Sequence, residues 1–130
     1  MIIGITGSRK FTDTDCMEQA ILEMKPSLLL TGGAAGADTI AEGIARKHGI
    51  PCKVYLPAFK TDATIKYHPR WYLERNKEIV DACDVLLAFF AGEKSKGTEY
   101  TVEYAKKISK PIKVFPKTER LQTSFQVELF

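Results

Sequence analysis

Short apolar runs alternate with helix-like segments along this chain, and that alternation constrains its fold more than any other feature. The apolar runs are Met1–Thr6, Ser27–Thr31, Cys52–Leu56, Asp84–Phe90 and Ile112–Phe115. The run Asp84–Phe90 is nearly all apolar, which is typical of a central parallel strand buried on both faces. Strands that alternate with helices predict a parallel sheet with helices packed on it.

Apolar residues at helical spacing lie between these strands. The spacing predicts helices over Asp13–Met24, Ala37–His48, Pro69–Ala82 and Thr98–Ser109, with Gly49 as the C-cap of the second. The expected fold class is therefore α/β, a Rossmann-like three-layer α/β/α sandwich. Its parallel sheet should have about five strands in the order 3-2-1-4-5.

The last fourteen residues, 117–130, have a different pattern. From Leu121 onward, apolar and polar residues alternate with period two, which is typical of a half-buried strand. We therefore expect one domain over residues 1–116 and a strand-like tail over 117–130. The tail would either add an edge strand to the sheet or contact a second subunit, so a homo-oligomer is one expectation.

The composition excludes several classes of protein. The chain has 130 residues, of which 45% are hydrophobic and 27% charged, as expected for one globular domain. Its three cysteines are widely spaced, its two histidines lack ligand-spaced partners, and no apolar run approaches the ~20 residues of a membrane helix. Met1 leads directly into Ile2 and Ile3, without the basic region of a signal peptide. These features predict a cytoplasmic protein with no metal site and no membrane partner.

Glycine- and hydroxyl-rich segments follow three of the predicted strands. They are Gly7–Arg9, Gly32–Asp38 and the stretch that ends at Gly97-Thr98. In open parallel sheets, ligands bind beyond the carboxyl ends of the strands, where the strand order switches. The three segments should therefore meet at one edge of the sheet.

Each segment has a functional and a structural interpretation. The loop Gly32–Asp38 could present backbone N–H groups to a phosphate at a helix N-terminus, or could be a tight turn in which Asp38 compensates the helix dipole. Gly7–Arg9 could clamp phosphate through a hydroxyl and a guanidinium, or form an ordinary surface loop. Thr98 could face the cleft or could simply cap its helix. Arg75 and Asn76 lie in the middle of a helix and could point either into the cleft or to solvent.

Together, these segments predict a ligand that carries phosphate, namely a nucleotide or a nucleotide derivative, with no additional cofactor required. The candidate ligand-binding residues are Gly7, Ser8, Arg9, Gly32, Gly33, Ala34, Gly36, Asp38, Arg75, Asn76, Ser95, Gly97 and Thr98.

The same ordered motifs resemble those of the SLOG superfamily, and within it the small YspA-like domains. They are Gly-Ser-Arg after the first strand, Gly-Gly-Ala-x-Gly-Ala-Asp after the second, Pro-Ala after the third, Arg-Asn before the fourth and Ser-x-Gly-Thr after it. The resemblance implies a Rossmann-like fold whose strand-end loops bind nucleotides or related ligands, in binding and sensing domains as well as in enzymes.

Two related branches supply alternative functions. The chain resembles the Lonely Guy phosphoribohydrolases, which cleave the N-glycosidic bond of nucleoside monophosphates, at Leu73–Asn76, so that Arg75 would be the catalytic residue of an enzyme. However, Thr101 occupies the position of their catalytic glutamate. Because an oxocarbenium-like transition state requires a nearby carboxylate, this difference favours a ligand-binding domain.

The second branch is the Rossmann-like domain of DNA-processing protein A, which binds single-stranded DNA and has similar Gly-Ser-Arg and Arg-Asn elements. The stretch Lys60–Lys77 contains five basic and two acidic residues, with aromatic residues between them. Its surplus of three positive charges equals the net charge of the whole chain, +3. Basic and aromatic residues in alternation are typical of single-strand binding, and a helix that packs its aromatic residues on the sheet gives the same pattern.

Overall fold

The computed structural model describes residues 1–92 and 95–116, which form a three-layer sandwich around a five-stranded parallel sheet. The strands lie in the order β3-β2-β1-β4-β5, so the predicted fold class and strand order are confirmed. The elements are β1 (Ile2–Gly7), α1 (Thr14–Met24), β2 (Leu28–Thr31), α2 (Ala37–His48), β3 (Cys52–Val54), α3 (Ala58–Thr61), α4 (Arg70–Ala82), β4 (Val85–Phe89), α5 (Lys96–Lys107) and β5 (Ile112–Phe115).

The core divides into two clusters, one on each face of the sheet. Helices α1 and α2 cover one face, where they pack on Val85, Leu87 and Phe89 of β4. Helices α4 and α5 cover the other face, where Leu86 and Ala88 of the same strand are buried. Every residue of β4 is therefore buried, as the apolar run predicted, and the strand forms the centre of the molecule.

The sheet register places the carboxyl ends of β1 and β4 side by side. Gly7 pairs with Phe89 at the last position of both strands, and the Ser8 N–H donates to the Phe89 carbonyl at 2.9 Å. Strand β2 lies on the other side of β1. The loops that follow these three strands consequently emerge together at one edge, where the strand order switches.

The ends of several elements differ from the predicted ones. Gly49 does cap α2, with a positive φ of 67°. The short helix α3 lies in a polar stretch where no element was predicted, because four residues are too few to show helical periodicity. Helix α5 begins at Lys96, with Ser95 at its N-cap, so Thr98 lies inside the first turn and is not the cap.

The predicted tail strand over 117–130 lies outside the described residues. In the part of the chain that the structure does describe, no helix is long and apolar enough to cross a membrane. Over the same residues, no group of three or more His, Cys, Asp or Glu side chains could hold a metal ion.

Candidate functional site

A cavity of about 400 Å³ opens at the edge where β1, β2 and β4 end. It lies between the loops after these strands, the face of α4 and the N-terminal turn of α5. Its lining consists of Ile5, Thr6, Gly7, Ser8, Arg9, Lys10, Ala34, Asp38, Tyr72, Leu73, Arg75, Asn76, Ser95, Gly97 and Thr98. The three segments singled out in the sequence thus contribute to a single cavity.

The loops after β1 and β2 are in direct backbone contact beneath this cavity. The Ala37 N–H donates to the Ser8 carbonyl at 3.1 Å. Gly36 has a φ of +76°, and a Cβ atom built on it would lie 2.4 Å from the Arg9 carbonyl oxygen. Only glycine permits both this backbone conformation and this approach. The loop after β2 therefore acts as a rigid support for the Gly-Ser-Arg loop.

The Asp38 carboxylate occupies the glycine-rich loop. Its side chain is in the first turn of α2, and its Oδ2 accepts hydrogen bonds from the Gly32 and Ala34 N–H groups, each at 3.2 Å. The backbone amides of the loop therefore bind this protein's own carboxylate, and ligand binding by the loop stays a prediction.

The second oxygen of Asp38 has no hydrogen-bond partner within the described part of the chain. Asp38 is 8% exposed, and its Oδ1 is buried. Burial raises the pKa of this carboxyl group from 3.8 to about 6, although the Ala34 and Gly32 N–H groups and the Arg75 charge act in the opposite direction. An unpartnered carboxylate oxygen therefore lies beside the cavity.

Arg75 crosses from α4 to the end of β2 and is 6% exposed. Its Nη1 donates to the carbonyl oxygens of Gly32 and, at 3.1 Å, of Tyr55, while its Nε donates to Asn76 Oδ1 at 2.8 Å. Burial lowers the pKa of the guanidinium, and the negative charge of Asp38 opposes that shift. These contacts hold a fixed, poorly solvated positive charge against the wall of the cavity.

Asn76 extends the same hydrogen-bond chain to α5. Its Nδ2 donates to Thr101 Oγ1 at 3.0 Å, and Thr101 Oγ1 donates to the Gly97 carbonyl at 2.8 Å. Thr101 is 2% exposed and does not line the cavity. The residue at the glutamate position of the phosphoribohydrolases therefore anchors the first turn of α5 to Arg75 through Asn76.

The first turn of α5 forms the far wall of the cavity. Ser95 is its N-cap residue, but no side chain caps the helix by a hydrogen bond to its backbone. Instead, Ser95 Oγ and Thr98 Oγ1 lie 2.8 Å apart and share a hydrogen bond. This turn therefore presents two hydroxyl groups and the positive end of a helix dipole.

Most of the residues predicted to bind a ligand line this cavity. Those that do are Gly7, Ser8, Arg9, Ala34, Asp38, Arg75, Asn76, Ser95, Gly97 and Thr98. Gly32, Gly33 and Gly36 are not among the lining residues. A Cβ atom on Gly32 would lie 2.5 Å from the guanidinium carbon of Arg75, so this glycine makes room for the arginine.

Sequence reasoning missed two functional candidates in the lining, Lys10 and Tyr72. Lys10 directly follows the Gly-Ser-Arg segment, so extending that segment by one residue would have included it. Tyr72 precedes Arg75 by three residues, and residues at that spacing lie on one face of a helix. Helical spacing from Arg75 was therefore a usable signal.

The basic stretch Lys60–Lys77 does not form one continuous surface. Arg75 is buried at the cavity, whereas the Lys77 ammonium lies 5.8 Å from the Tyr100 ring centroid and 5.6 Å from that of Tyr104. The other three basic residues of the stretch are exposed. The local surplus of positive charge is thus divided among different faces of the molecule.

Comparison with known protein families confirms the resemblance inferred from the motifs. Residues 1–61 match the model of the YspA, cpYpsA-related SLOG family. This segment contains the Gly-Ser-Arg and glycine-rich loops. No curated protein is significantly similar to the chain in sequence.

Solved structures share the fold over almost the whole chain. DNA processing protein A (DprA) from Streptococcus pneumoniae superposes with a TM-score of 0.78 at 17% identity, covering 98% of this chain. This chain spans only 57% of the length of that protein. The molybdenum cofactor carrier protein MCP from Chlamydomonas reinhardtii gives a TM-score of 0.66 at 19% identity, covering 96% of this chain and 82% of its own.

The molybdenum cofactor binding protein from the phototrophic bacterium Rippkaea orientalis has 28% identity to this chain and a TM-score of 0.71. The superposition covers 98% of this chain and 86% of that one. Two of these neighbours are thus described as carriers or binders of a cofactor. They contradict the sequence-based expectation that no cofactor is required, and that expectation is wrong.

Proposed function

Taking the chain as a SLOG-type, YspA-related domain, we propose that it binds a small organic ligand carrying phosphate in the strand-end cavity. Nucleotide derivatives and phosphate-bearing cofactors both fall within this class. The observation that carries the proposal is the charge of the lining, where two guanidinium groups, those of Arg9 and Arg75, face one carboxylate among the described lining residues, that of Asp38.

The burial of Arg75 favours an anionic ligand, because the positive charge of its guanidinium is already removed from water. A buried guanidinium is costly unless an anion or several acceptors balance it. Its recorded hydrogen bonds go to two backbone carbonyls and to the neutral Asn76 side chain. The buried carboxylate of Asp38 is the only negative charge in the described lining, so an incoming phosphate would meet a net positive wall.

The opposite wall supplies the remaining recognition elements for phosphate. Gly97 and Thr98 lie in the first turn of α5, where uncapped backbone N–H groups and the helix dipole favour an anion. The Ser95 and Thr98 hydroxyl groups add donors at the same place. Ser8, on the near wall, already accepts a hydrogen bond from the Lys10 N–H at 3.1 Å, which fixes its hydroxyl oxygen toward the loop.

Binding is better supported than N-glycosidic hydrolysis. Thr101, at the phosphoribohydrolase glutamate position, is buried in the hydrogen-bond chain with Asn76. The carboxylate of Asp38 is turned toward its own loop by two N–H groups. Within the described lining, no other carboxylate could stabilise an oxocarbenium-like transition state.

A cofactor of the kind bound by the Rippkaea orientalis neighbour fits the same description. That neighbour, with 28% identity, is described as binding the molybdenum cofactor. The positively charged lining and the volume of about 400 Å³ suit a compact anionic compound. The ligand set for a binding test therefore includes this cofactor alongside nucleotides.

Gly97 offers a test that leaves the fold intact. It lines the cavity, and a methyl group added to it would meet no protein atom within 4 Å. Gly43 in α2 also has open space around a Cβ atom but lies away from the cavity. Gly97→Ala and Gly43→Ala should each leave stability unchanged or raise it by up to about 1 kcal/mol, because alanine is the better helix former.

The two variants should differ in ligand binding. Thermal shift against AMP, ADP-ribose, NAD, the molybdenum cofactor, inorganic phosphate and a single-stranded oligonucleotide identifies a ligand, since a hundredfold excess over Kd stabilises the fold by about 2.7 kcal/mol. We expect Gly97→Ala to weaken the ligand at least tenfold and Gly43→Ala to leave its affinity unchanged.

Two results would contradict the proposal. One is that no phosphate-bearing compound raises the melting temperature. The other is that a ligand binds Gly97→Ala as tightly as the unaltered protein. Stabilisation by the oligonucleotide alone, with affinity falling steeply as salt rises, would instead favour single-stranded DNA binding.

A further inference from the structure

One aromatic ring stands among the described residues that line the cavity. Tyr72 is half-buried and lines the cavity next to Arg9 and Arg75. It lies on α4 three residues before Arg75, so both side chains project from the same face of the helix. The proposed phosphate ligand gives this ring no role, because phosphate needs only donors and positive charge.

Two other aromatic residues fix the orientation of Tyr72. Phe59 of α3 contacts it with ring centroids 5.6 Å apart, and Tyr67 contacts it at 6.4 Å. Phe59 and Tyr67 in turn lie 5.1 Å apart. All three contacts have interplanar angles of 70–80°, the edge-to-face arrangement that aromatic pairs prefer. The ring of Tyr72 is therefore held in one place before any ligand arrives.

Two guanidinium groups lie close to the Tyr72 ring. The guanidinium carbon of Arg75 lies 5.7 Å from the ring centroid, and that of Arg9 lies 5.9 Å from it. Arg75 is fixed by its hydrogen bonds to Gly32, Tyr55 and Asn76. Arg9 is exposed, and within the part of the chain that the structure describes its side chain makes no hydrogen bond. The Arg9 side chain is thus the movable member of the group.

The separation between Arg9 and Tyr72 is close to that of a stacked sandwich. A flat ring placed between the two would require about 3.5 Å on each side, or about 7 Å in total. The observed 5.9 Å is about 1 Å short of this spacing, and an exposed arginine side chain can move by that distance. Guanidinium groups and tyrosine rings both stack on planar aromatic groups.

We infer that Arg9 and Tyr72 form a stacking subsite, which holds a planar heteroaromatic ring of the phosphate-bearing ligand between them. The inference rests on the proposed function, because it concerns the part of the same ligand that the residues proposed to bind phosphate would not contact. It distinguishes a phosphorylated heterocycle from inorganic phosphate, a sugar phosphate or an acyl phosphate.

The test compares ligands with and without the ring. Kd values for AMP, GMP, CMP and ribose 5-phosphate are measured by calorimetry with the full chain, and the molybdenum cofactor serves as a separate arm that distinguishes a cofactor from a nucleotide. Stacking on an aromatic side chain should make the best of the three nucleotides bind about tenfold or more tighter than ribose 5-phosphate.

Variants at Tyr72 separate stacking from packing. Tyr72→Leu should bring the Kd of the nucleotide to within about twofold of that of ribose 5-phosphate, whereas Tyr72→Phe should retain the difference. Tyr100→Leu is the matched control, because Tyr100 is likewise a helical tyrosine beside a basic side chain, that of Lys77, but lies on α5 outside the cavity. Tyr100→Leu should leave both Kd values unchanged.

The outcomes separate the two proposals. If ribose 5-phosphate binds as tightly as every ringed ligand, or if Tyr72→Phe loses the preference as fully as Tyr72→Leu, the inference is overturned while phosphate binding stands. If none of the compounds binds, both the proposed function and the inference fail. A preference for the ringed compound that disappears in Tyr72→Leu but survives in Tyr72→Phe and Tyr100→Leu supports the inference.

Discussion

The buried carboxyl group of Asp38 makes the stability of the fold depend on pH in an unusual direction. Its pKa is raised to about 6 by burial, from 3.8 for an unperturbed side chain. Between pH 4 and pH 6 the folded state therefore holds a proton that the unfolded state has released. A raised carboxyl pKa means that stability is fully present below about pH 4 and is lost as pH rises toward 6.

The size of this effect follows from the shift. A difference of about two pKa units corresponds to about 3 kcal/mol, since one unit is worth 1.36 kcal/mol. Asp38→Asn removes the titration but keeps an oxygen that can accept from the Gly32 and Ala34 N–H groups. Any constant cost of the new amide group cancels when the two proteins are compared across pH.

Urea unfolding at pH 4, 5, 6 and 7 measures this difference, with Trp71, the one tryptophan of the sequence, as the fluorescent probe. We expect the unaltered protein to lose about 2.4 kcal/mol of this total relative to Asp38→Asn between pH 4 and pH 7, with most of the loss complete near pH 6. Parallel pH profiles would refute the reasoning. A gain by the unaltered protein as pH rises would show that the amides and Arg75 outweigh burial.

Two further predictions concern the framework of the site, and both are measured by urea unfolding. Thr101→Val keeps the side-chain shape but removes a donor to the Gly97 carbonyl and an acceptor for Asn76, so it should lower the free energy of unfolding by about 1–3 kcal/mol. A loss below about 0.5 kcal/mol would show that these hydrogen bonds contribute little to stability. Gly36→Ala should lower the free energy of unfolding by about 2 kcal/mol or more beyond the loss in Gly49→Ala. Both glycines have a positive φ, but only a Cβ atom at Gly36 would meet backbone atoms, at 2.4 Å. Equal losses would show that the loops after β1 and β2 separate easily.

The order of the strands could be predicted because hydrophobic pattern and chain chirality determine it. The run that became β4 is apolar at every position, and both of its faces are indeed buried. The short helices and strands were predicted less well, because few residues show little periodicity in the sequence. Helix α3 has only four residues, and β3 ends at Val54, two residues before its apolar run does.

The sequence predicted which strand-end loops line the cavity, but it did not predict the contacts between their residues. Gly32 was expected to bind the ligand, yet its N–H is bonded to Asp38 and its carbonyl to Arg75. Such pairing depends on how a helix 43 residues later is placed against the loop, and no local motif encodes that distance. Tyr72 was overlooked because an aromatic residue on a helix beside a sheet usually packs in the core.

The hydrogen-bond chain from α5 to the end of β2 also limits which residues can replace Thr101. Placing a glutamate at Thr101, as in the related hydrolases, would put a charge at a position that is 2% exposed and would remove the donor to Gly97. Its carboxylate could still accept from Asn76, but from the end of a longer side chain, so the orientations of Asn76 and Arg75 would change. We therefore expect Thr101→Glu to destabilise the fold on its own, and a compensating change at Asn76 to be needed before a glutamate is tolerated at this position.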